Sequence, residues 1–309
     1  EVSFSAIEDF TTWDALDVFQ RNDAADRWER LIVNNKEVFL LGDATTSVYY
    51  NSPDADIPFQ PIASVGPIPM GIAAPFSACV VDGQTMWIGR GSGGVGIVYR
   101  MNGYTPERIS THAVEYALQT IANISDDAFE LAEGSTYQEM GHTFYELTFP
   151  PFASDNFAGA TWVYDVTSGL WHERGAANEL GDFGCLDSRG HTMIRPGTGG
   201  QLTQSRSSGV VYTQSLDHQT FNGSPIVRLR RAPHINNAQL RTRYSHFRLL
   251  METGLGLGNV ASTAVGYDPQ ITLSWSNDGG QTFGTAYPAS AGRIGEFSKL
   301  VEWRQLEQA

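Results

Sequence analysis

Apolar and polar positions alternate along this chain in a two-part phrase that appears four times. The first part is a short strand, a tight polar turn and a second apolar strand. Its turns fall at Asn34-Asn35, Asp82-Gly83, Met140-Gly141 and Arg189-Gly190. The second part is a Val-Tyr pair centred in another short strand: Val48-Tyr49, Val98-Tyr99, Val163-Tyr164 and Val211-Tyr212. Turn and Val-Tyr pair follow each other in strict order with a period of roughly 50 residues, the blade length of kelch-type arrays. One such unit cannot bury its own apolar faces, so the units must stack. For four-stranded units the closed solution is a β-propeller, and the sequence predicts an all-β propeller of about six four-stranded antiparallel blades.

The individual strands support this. The first repeat reads Leu31-Ile32-Val33, a turn, then Val38-Phe39-Leu40-Leu41-Gly42. The second gives Ala78-Cys79-Val80-Val81, Asp82-Gly83 and Thr85-Met86-Trp87-Ile88-Gly89, with a further turn at Asn102-Gly103. Asp-Gly and Asn-Gly are strong hairpin signals because type I′ turns need positive φ at both central residues. The third repeat pairs Thr143–Leu147 with Thr161–Tyr164 and turns through Thr167-Ser168-Gly169 into Leu170–Arg174. The fourth uses Thr192-Met193-Ile194 and Gly209–Tyr212.

A single propeller domain over 1–309 is expected, with clear repeats over about 28–218 and a further blade over about 240–304. Phe4–Phe19, which contains Phe10-Thr11-Thr12-Trp13-Asp14, reads as the outer hairpin of an earlier blade. Ile271–Trp275, Phe283 and Lys299–Trp303 read as the later one. Thr111–Ala122 breaks the pattern with apolar residues at helical spacing, Thr111 placed to cap it, and Ser125-Asp126-Asp127 opening a second short turn. Pro58–Pro75, with five prolines, reads as a loop or extended arm rather than a core strand.

Composition narrows the function. The 34 acidic against 20 basic side chains leave a net charge of −14. Such a surface disfavours sequence-reading contact with nucleic acid and insertion into or binding of anionic membranes. It suits a wall past which DNA slides, and it equally suits plain solubility. Cys79 and Cys185 sit in different repeats without metal-ligand spacing, and are expected to be buried thiols in a reducing compartment. No signal peptide or membrane-length apolar run is visible. The chain opens on Glu1 and stops just after the Lys299–Trp303 run, so truncation at both ends is expected.

Few residues point to chemistry. Gly91-Ser92-Gly93-Gly94-Val95-Gly96 matches a dinucleotide fingerprint, but it leads into the strand Ile97-Val98-Tyr99 rather than a helix, and reads as an interstrand loop. Ser276-Asn277-Asp278-Gly279-Gly280-Gln281-Thr282-Phe283 resembles the Asp-box turn of sialidases and other propellers. In that turn Ser276, Asp278, Gly280, Thr282 and Phe283 have structural roles away from any catalytic centre. Arg228, Arg230, Arg231, Arg241, Arg243 and Arg248 cluster, and pairs two apart share one face of a strand. They read either as a subunit or channel contact (Arg228, Arg230, Arg231, Arg241 and Arg243) or as strand arginines paired with surplus carboxylates. His142 and His191 follow the repeat turns as Gly-His-Thr, which fits a recurring turn hydrogen bond better than a shared metal. No catalytic or metal motif appears.

A wider resemblance runs along almost the whole chain. It is carried by Trp13-Asp14, Val38–Gly42, Arg108–Glu115, Gly141–Tyr145, Thr161–Asp165, Trp171–Arg174, Met251–Gly254, Asp268–Gln270 and the Asp-box-like turn. In this the chain resembles the packaged-DNA-stabilisation proteins, the tail hubs or nozzles of short-tailed phages. The resemblance implies a virion tail protein assembled in the host cytoplasm. Six copies would form a ring below the portal and adaptor, extend the DNA channel, help retain the genome and anchor a tail needle, fibres or spikes. It implies no enzyme activity, no cofactor, no sequence-specific DNA contact and no membrane insertion. The alternatives are a carbohydrate-active or carbohydrate-binding propeller of sialidase type and a general protein-interaction propeller. Three arginines converging on a pocket beside a tyrosine would mark the sialidase type.

Overall fold

The computed structural model of the chain describes residues 2–6, 9–21, 23–54, 58–91, 94–175, 185–186, 189–194, 201–215, 218, 220–221, 223–235, 237, 242–264, 266–304 and 306. They form two compact units, Glu1–Val227 and Arg228–Ala309. The expectation of one domain over 1–309 is corrected accordingly, and the blade expected over about 240–304 falls in the second unit.

The first unit opens with a two-stranded pair, β1 (Val2–Ser3) and β2 (Val18–Phe19). Three sheets then carry the propeller pattern. The first is ordered β3 (Trp28–Asn34), β4 (Glu37–Gly42), β5 (Thr46–Asn51), β6 (Phe59–Pro61). In the second, β7 (Gly71–Ile72) and β8 (Cys79–Val81) both pair with β9 (Gln84–Gly91), followed by β10 (Gly94–Asn102) and β11 (Thr105–Arg108). After α1 (His112–Ile124) and α2 (Asp126–Glu130), the third runs β12 (Glu133–Glu139), β13 (His142–Phe149), β14 (Ala160–Asp165), β15 (Leu170–Arg174). A three-stranded sheet follows, β16 (Arg189–Ile194), β17 (Gln201–Gln204), β18 (Val211–Gln214), and then the small pair β19 (Thr220–Phe221) and β20 (Ser224–Pro225). All pairings are antiparallel, and each of the four larger sheets carries one Val-Tyr pair, on β5, β10, β14 and β18. The unit is a β-propeller whose blades are these larger sheets.

The hairpin signals work by backbone chemistry. Asp82 and Gly83 sit at φ 49° and 73°, Met140 and Gly141 at 50° and 81°, as a two-residue type I′ turn requires. In the first blade the positive-φ pair is Asn35-Lys36, one residue later than expected. In the fourth, Arg189-Gly190 lies within β16 rather than in a turn.

Blade stacking explains the continuous apolar runs. Met86, Trp87 and Ile88 of β9 are all fully buried. Trp87 packs with Phe39, Leu41 and Val48 of the first blade, while Met86 and Ile88 pack with Tyr145, Leu147 and Phe149 of the third. A strand covered on both faces has no polar side to show. Polar contacts lock the same seams: Asn34 Nδ2 donates to the Gly83 carbonyl at 2.9 Å, Tyr145 Oη to that of Ser77 at 2.8 Å, and Gln201 Nε2 to that of Gln138 at 2.8 Å.

The helical insertion forms where the periodicity placed it. Thr111 Oγ1 accepts from the Val114 amide and Ser125 Oγ from that of Ala128, so each helix has its N-cap. Val114, Leu118 and Ile121 of α1 pack into the core shared by the second and third blades. The Pro58–Pro75 arm is largely irregular, yet it contributes β6 and β7 at sheet edges and buries Ile68 and Ile72. The hairpin expected over Phe4–Phe19 takes the form of β1 paired with β2, and Phe10–Asp14 lies in the loop between them. Beside it Phe4, Phe19, Trp28, Tyr49 and Phe59 make an aromatic cluster on the first blade. Among the described residues no helix is long and apolar enough to cross a membrane.

The second unit holds two antiparallel pairs, β21 (His246–Leu249) with β24 (Val301–Arg304) and β22 (Gln270–Leu273) with β23 (Tyr287–Ser290). Trp303 is buried and its Nε1 donates to the Tyr287 carbonyl at 2.7 Å, tying the pairs together.

Candidate functional site

The Asp-box-like turn closes the β22–β23 hairpin. Asp278 Oδ1 accepts from the Gln281 amide at 3.0 Å and the Thr282 amide at 2.9 Å, and Ser276 Oγ donates to it at 2.6 Å. Hydrogen bonds from Ser276 and Thr282 hold the Asp278 carboxyl well below the ordinary aspartate value. Gly279 and Gly280 supply φ of 79° and 92°. Ser276, Asp278, Gly280 and Thr282 therefore act as one structural turn. The Phe283 ring is half-exposed rather than packed under the turn, and Arg231 lies over it at 5.2 Å. The turn belongs to the second unit, so it supports no propeller blade.

Arg228, Arg230 and Arg231 lie in the exposed stretch 226–235, which joins no strand. The shared strand face expected for them is absent. Arg243 is also exposed, and Arg241 lies outside the described residues. Arg248 sits on β21 and pairs with Glu302 across the ladder at 2.9 Å, the carboxylate-paired arrangement that the sequence also allowed.

In the first unit several arginines are engaged with carboxylates at separate places. Arg90 pairs with Asp43 at 3.1 Å, Arg100 with Glu107 at 2.7 Å, Arg206 with Glu133 at 3.2 Å, and Arg108 with the buried Glu115. Arg21 spans Asp23 at 2.9 Å and Asp26 at 2.7 Å. Among the described residues no three arginines converge on a tyrosine. A shallow cleft of about 370 Å³ between the first two blades is lined by turn residues, including Asn34, Glu37, Gly83 and Tyr104, and by no arginine. His142 Nδ1 bonds Asp165 Oδ2 at 2.8 Å, a turn-to-strand contact as expected, while the His191 side chain lies outside the described residues. Burial alone would raise the Asp165 pKa; hydrogen bonds from Ser168, His142 and the Thr167 amide outweigh it and lower the value. Gly91 and Gly94 face each other across a strand pair, so the glycine-rich stretch opens no helix. Among the described residues no group of His, Cys, Asp or Glu is placed to hold a metal, and no disulfide forms.

Two family models match the chain in order. The one described as bacteriophage P22 Gp10, beta-propeller, matches residues 1–173, more than half of the sequence. The one described as bacteriophage P22 Gp10, beta-sandwich, matches residues 228–309. The chain belongs to the bacteriophage P22 Gp10 family. As a P22 Gp10-family member it is a structural protein of the phage tail, of the hub or nozzle type. The second match starts at Arg228, where the second compact unit starts. No curated protein matches the chain.

One feature of this Gp10-family chain escaped the sequence reading because charge was summed over the whole length. The first unit carries 28 acidic against 11 basic side chains, and the second carries nine basic against six acidic. Counting charge by segment would have shown it.

Proposed function

We propose that this chain is the subunit of a homohexameric tail nozzle that sits below the portal and adaptor. In this reading the ring extends the DNA channel, helps retain the packaged genome until ejection, and anchors needle, fibre or spike proteins. The observation that carries it is the in-order match of both family models, propeller then sandwich, onto the two units of one chain. The acidic first unit supports a wall that DNA passes without base-specific contact, because like charge keeps phosphates at a distance. Exposed Arg228, Arg230, Arg231 and Arg243 are the surface offered to a neighbouring subunit's carboxylates. We also assign the chain a non-enzymatic role without a cofactor and assembly in the host cytoplasm. The dispersal of the first unit's arginines over separate carboxylate pairs favours this over the sialidase-type reading.

Native mass measurement of the chain mixed with its portal–adaptor complex tests the proposal. A ring of six copies bound to the complex is expected. Recovery of only free monomer across a range of salt and concentration would sink it.

A further inference from the structure

Charge pairing inside the chain leaves two clusters over, of opposite sign. The stretch 218–251 holds six arginines and no Asp or Glu. Within it Arg228, Arg230 and Arg243 are exposed and pair with no carboxylate among the described residues, whereas Arg248 is held by Glu302 at 2.9 Å. Elsewhere most guanidiniums find carboxylates, from Arg21 with Asp23 and Asp26 to Arg206 with Glu133. In a chain with a surplus of carboxylates, a run free of them leaves its arginines open to an outside anion. Exposed Ile226, Val227 and Leu229 stand beside them in the chain.

The stretch 109–173 is the converse, with ten carboxylates and no Lys or Arg. Seven of the ten are engaged, among them Glu115 by Arg108, Glu133 by Arg206, Asp155 by Ser125 and Asp165 by His142. The other three, Asp126, Asp127 and Glu130, are exposed, have no ion-pair partner among the described residues, and all belong to α2. Spacings of four and three residues put Glu130 on the same side of the helix as Asp126 and Asp127. The helix cannot turn that side away, because Ala128 and Phe129 are buried beneath it and Ser125 caps its first turn. Half-exposed Ile124 and Leu131 flank it.

We propose that Arg228, Arg230 and Arg243 of one copy dock on the Asp126–Asp127–Glu130 side of α2 in the next copy. Each cluster comes from a stretch of a single sign, so the two meet as opposite charges with no like-charge contact to offset the gain. Guanidinium forks suit carboxylates in particular, since both can bond in pairs. A second copy fits better here than a phosphate backbone does. Against phosphates Val227 and Leu229 would stay in water; against α2 they find Ile124 and Leu131. The contact is heterologous, different patches on the two partners, and such contacts close into rings or run on as filaments. The inference rests on the ring reading above and names the neighbour's carboxylates.

The test uses the full chain in two charge-reversed variants, R228E/R230E/R243E and D126K/D127K/E130K. Sedimentation velocity at low salt should show association of each weakened roughly tenfold or more, and wild-type association should itself weaken as salt rises. An equimolar mixture should recover association, because each variant keeps the half that the other reversed. The neutral variants R228Q/R230Q/R243Q and D126N/D127N/E130Q keep side-chain size, so weakening in them at an unchanged thermal midpoint is no folding defect. If wild type assembles and both reversed variants assemble equally well, this contact is wrong and the ring stands. If both lose association and the mixture does not recover it, the pairing of these two clusters is wrong. Reversals that lower the thermal midpoint of the monomer, restored when both are placed in one chain, would put the pairing within a single copy and overturn the contact between copies. Retention of duplex DNA, lost in an arginine variant that still assembles, would assign the stretch to nucleic acid instead. A wild type that stays monomeric overturns the ring and this contact with it.

Discussion

At the scale of single residues, the blade seams are set by a few close contacts. Tyr145 is fully buried and its hydroxyl reaches across to the Ser77 carbonyl. Removing the hydroxyl leaves that carbonyl without its partner, so Tyr145→Phe should lower stability by about 1–2 kcal/mol in urea unfolding. Gly134 faces the same backbone, and a Cβ there would collide with the Ser77 carbonyl oxygen. Gly134→Ala should cost about 1–3 kcal/mol by the same measurement, since backbone cannot step aside as a flexible side chain can. Acid sensitivity also resides in particular side chains. Burial alone would raise Asp23 and Asp26; bonds from Ser47 and Arg21 to Asp23, and from Ala44 and Thr45 to Asp26, more than reverse this. Both pKa values therefore lie below the usual 3.8. Their contribution is present above pH 4 and is lost as pH falls through the depressed folded-state values. The thermal midpoint should accordingly hold from pH 7 to 5 and drop below 4, with Asp26→Asn flattening that acid limb.

At the scale of elements, local chemistry was legible wherever the backbone itself had the preference. Asp82-Gly83 and Met140-Gly141 turn as expected because glycine relieves the positive φ of the second position. The first hairpin slipped by one residue, since Asn34-Asn35-Lys36 offers no glycine to fix which pair turns. The helix α1 was readable from its cap and its period, and its Leu118 is fully buried against the sheets. Leu118→Ala should cost about 2–5 kcal/mol in chemical denaturation, the range for an emptied core site. The hairpin around Phe4–Phe19 was legible, but the exposure of its Phe10–Leu16 loop was not. The large apolar side chains of that loop face water, which apolarity alone does not reveal.

At the scale of the whole molecule, the division at Val227 and Arg228 and the opposite charge balance of the two units govern behaviour. Arg228, Arg230 and Arg231 lie exposed in a stretch outside any strand. Limited trypsin digestion of the monomer should therefore cut there first, releasing the two units. Protection of this stretch in the assembled ring is the expected contrast, read by mass spectrometry of the fragments.

The sequence by itself determined the blade repeat, the capped helical insertion and the structural nature of the Asp278 turn, because each depends on residues near one another in the chain. Only the tertiary structure decided that the last strands form a separate unit, that Arg231 meets Phe283, and that Phe10, Trp13 and Leu16 stand in water. Those outcomes depend on which faces find a covering partner, and pairing over long sequence separations leaves no period to read.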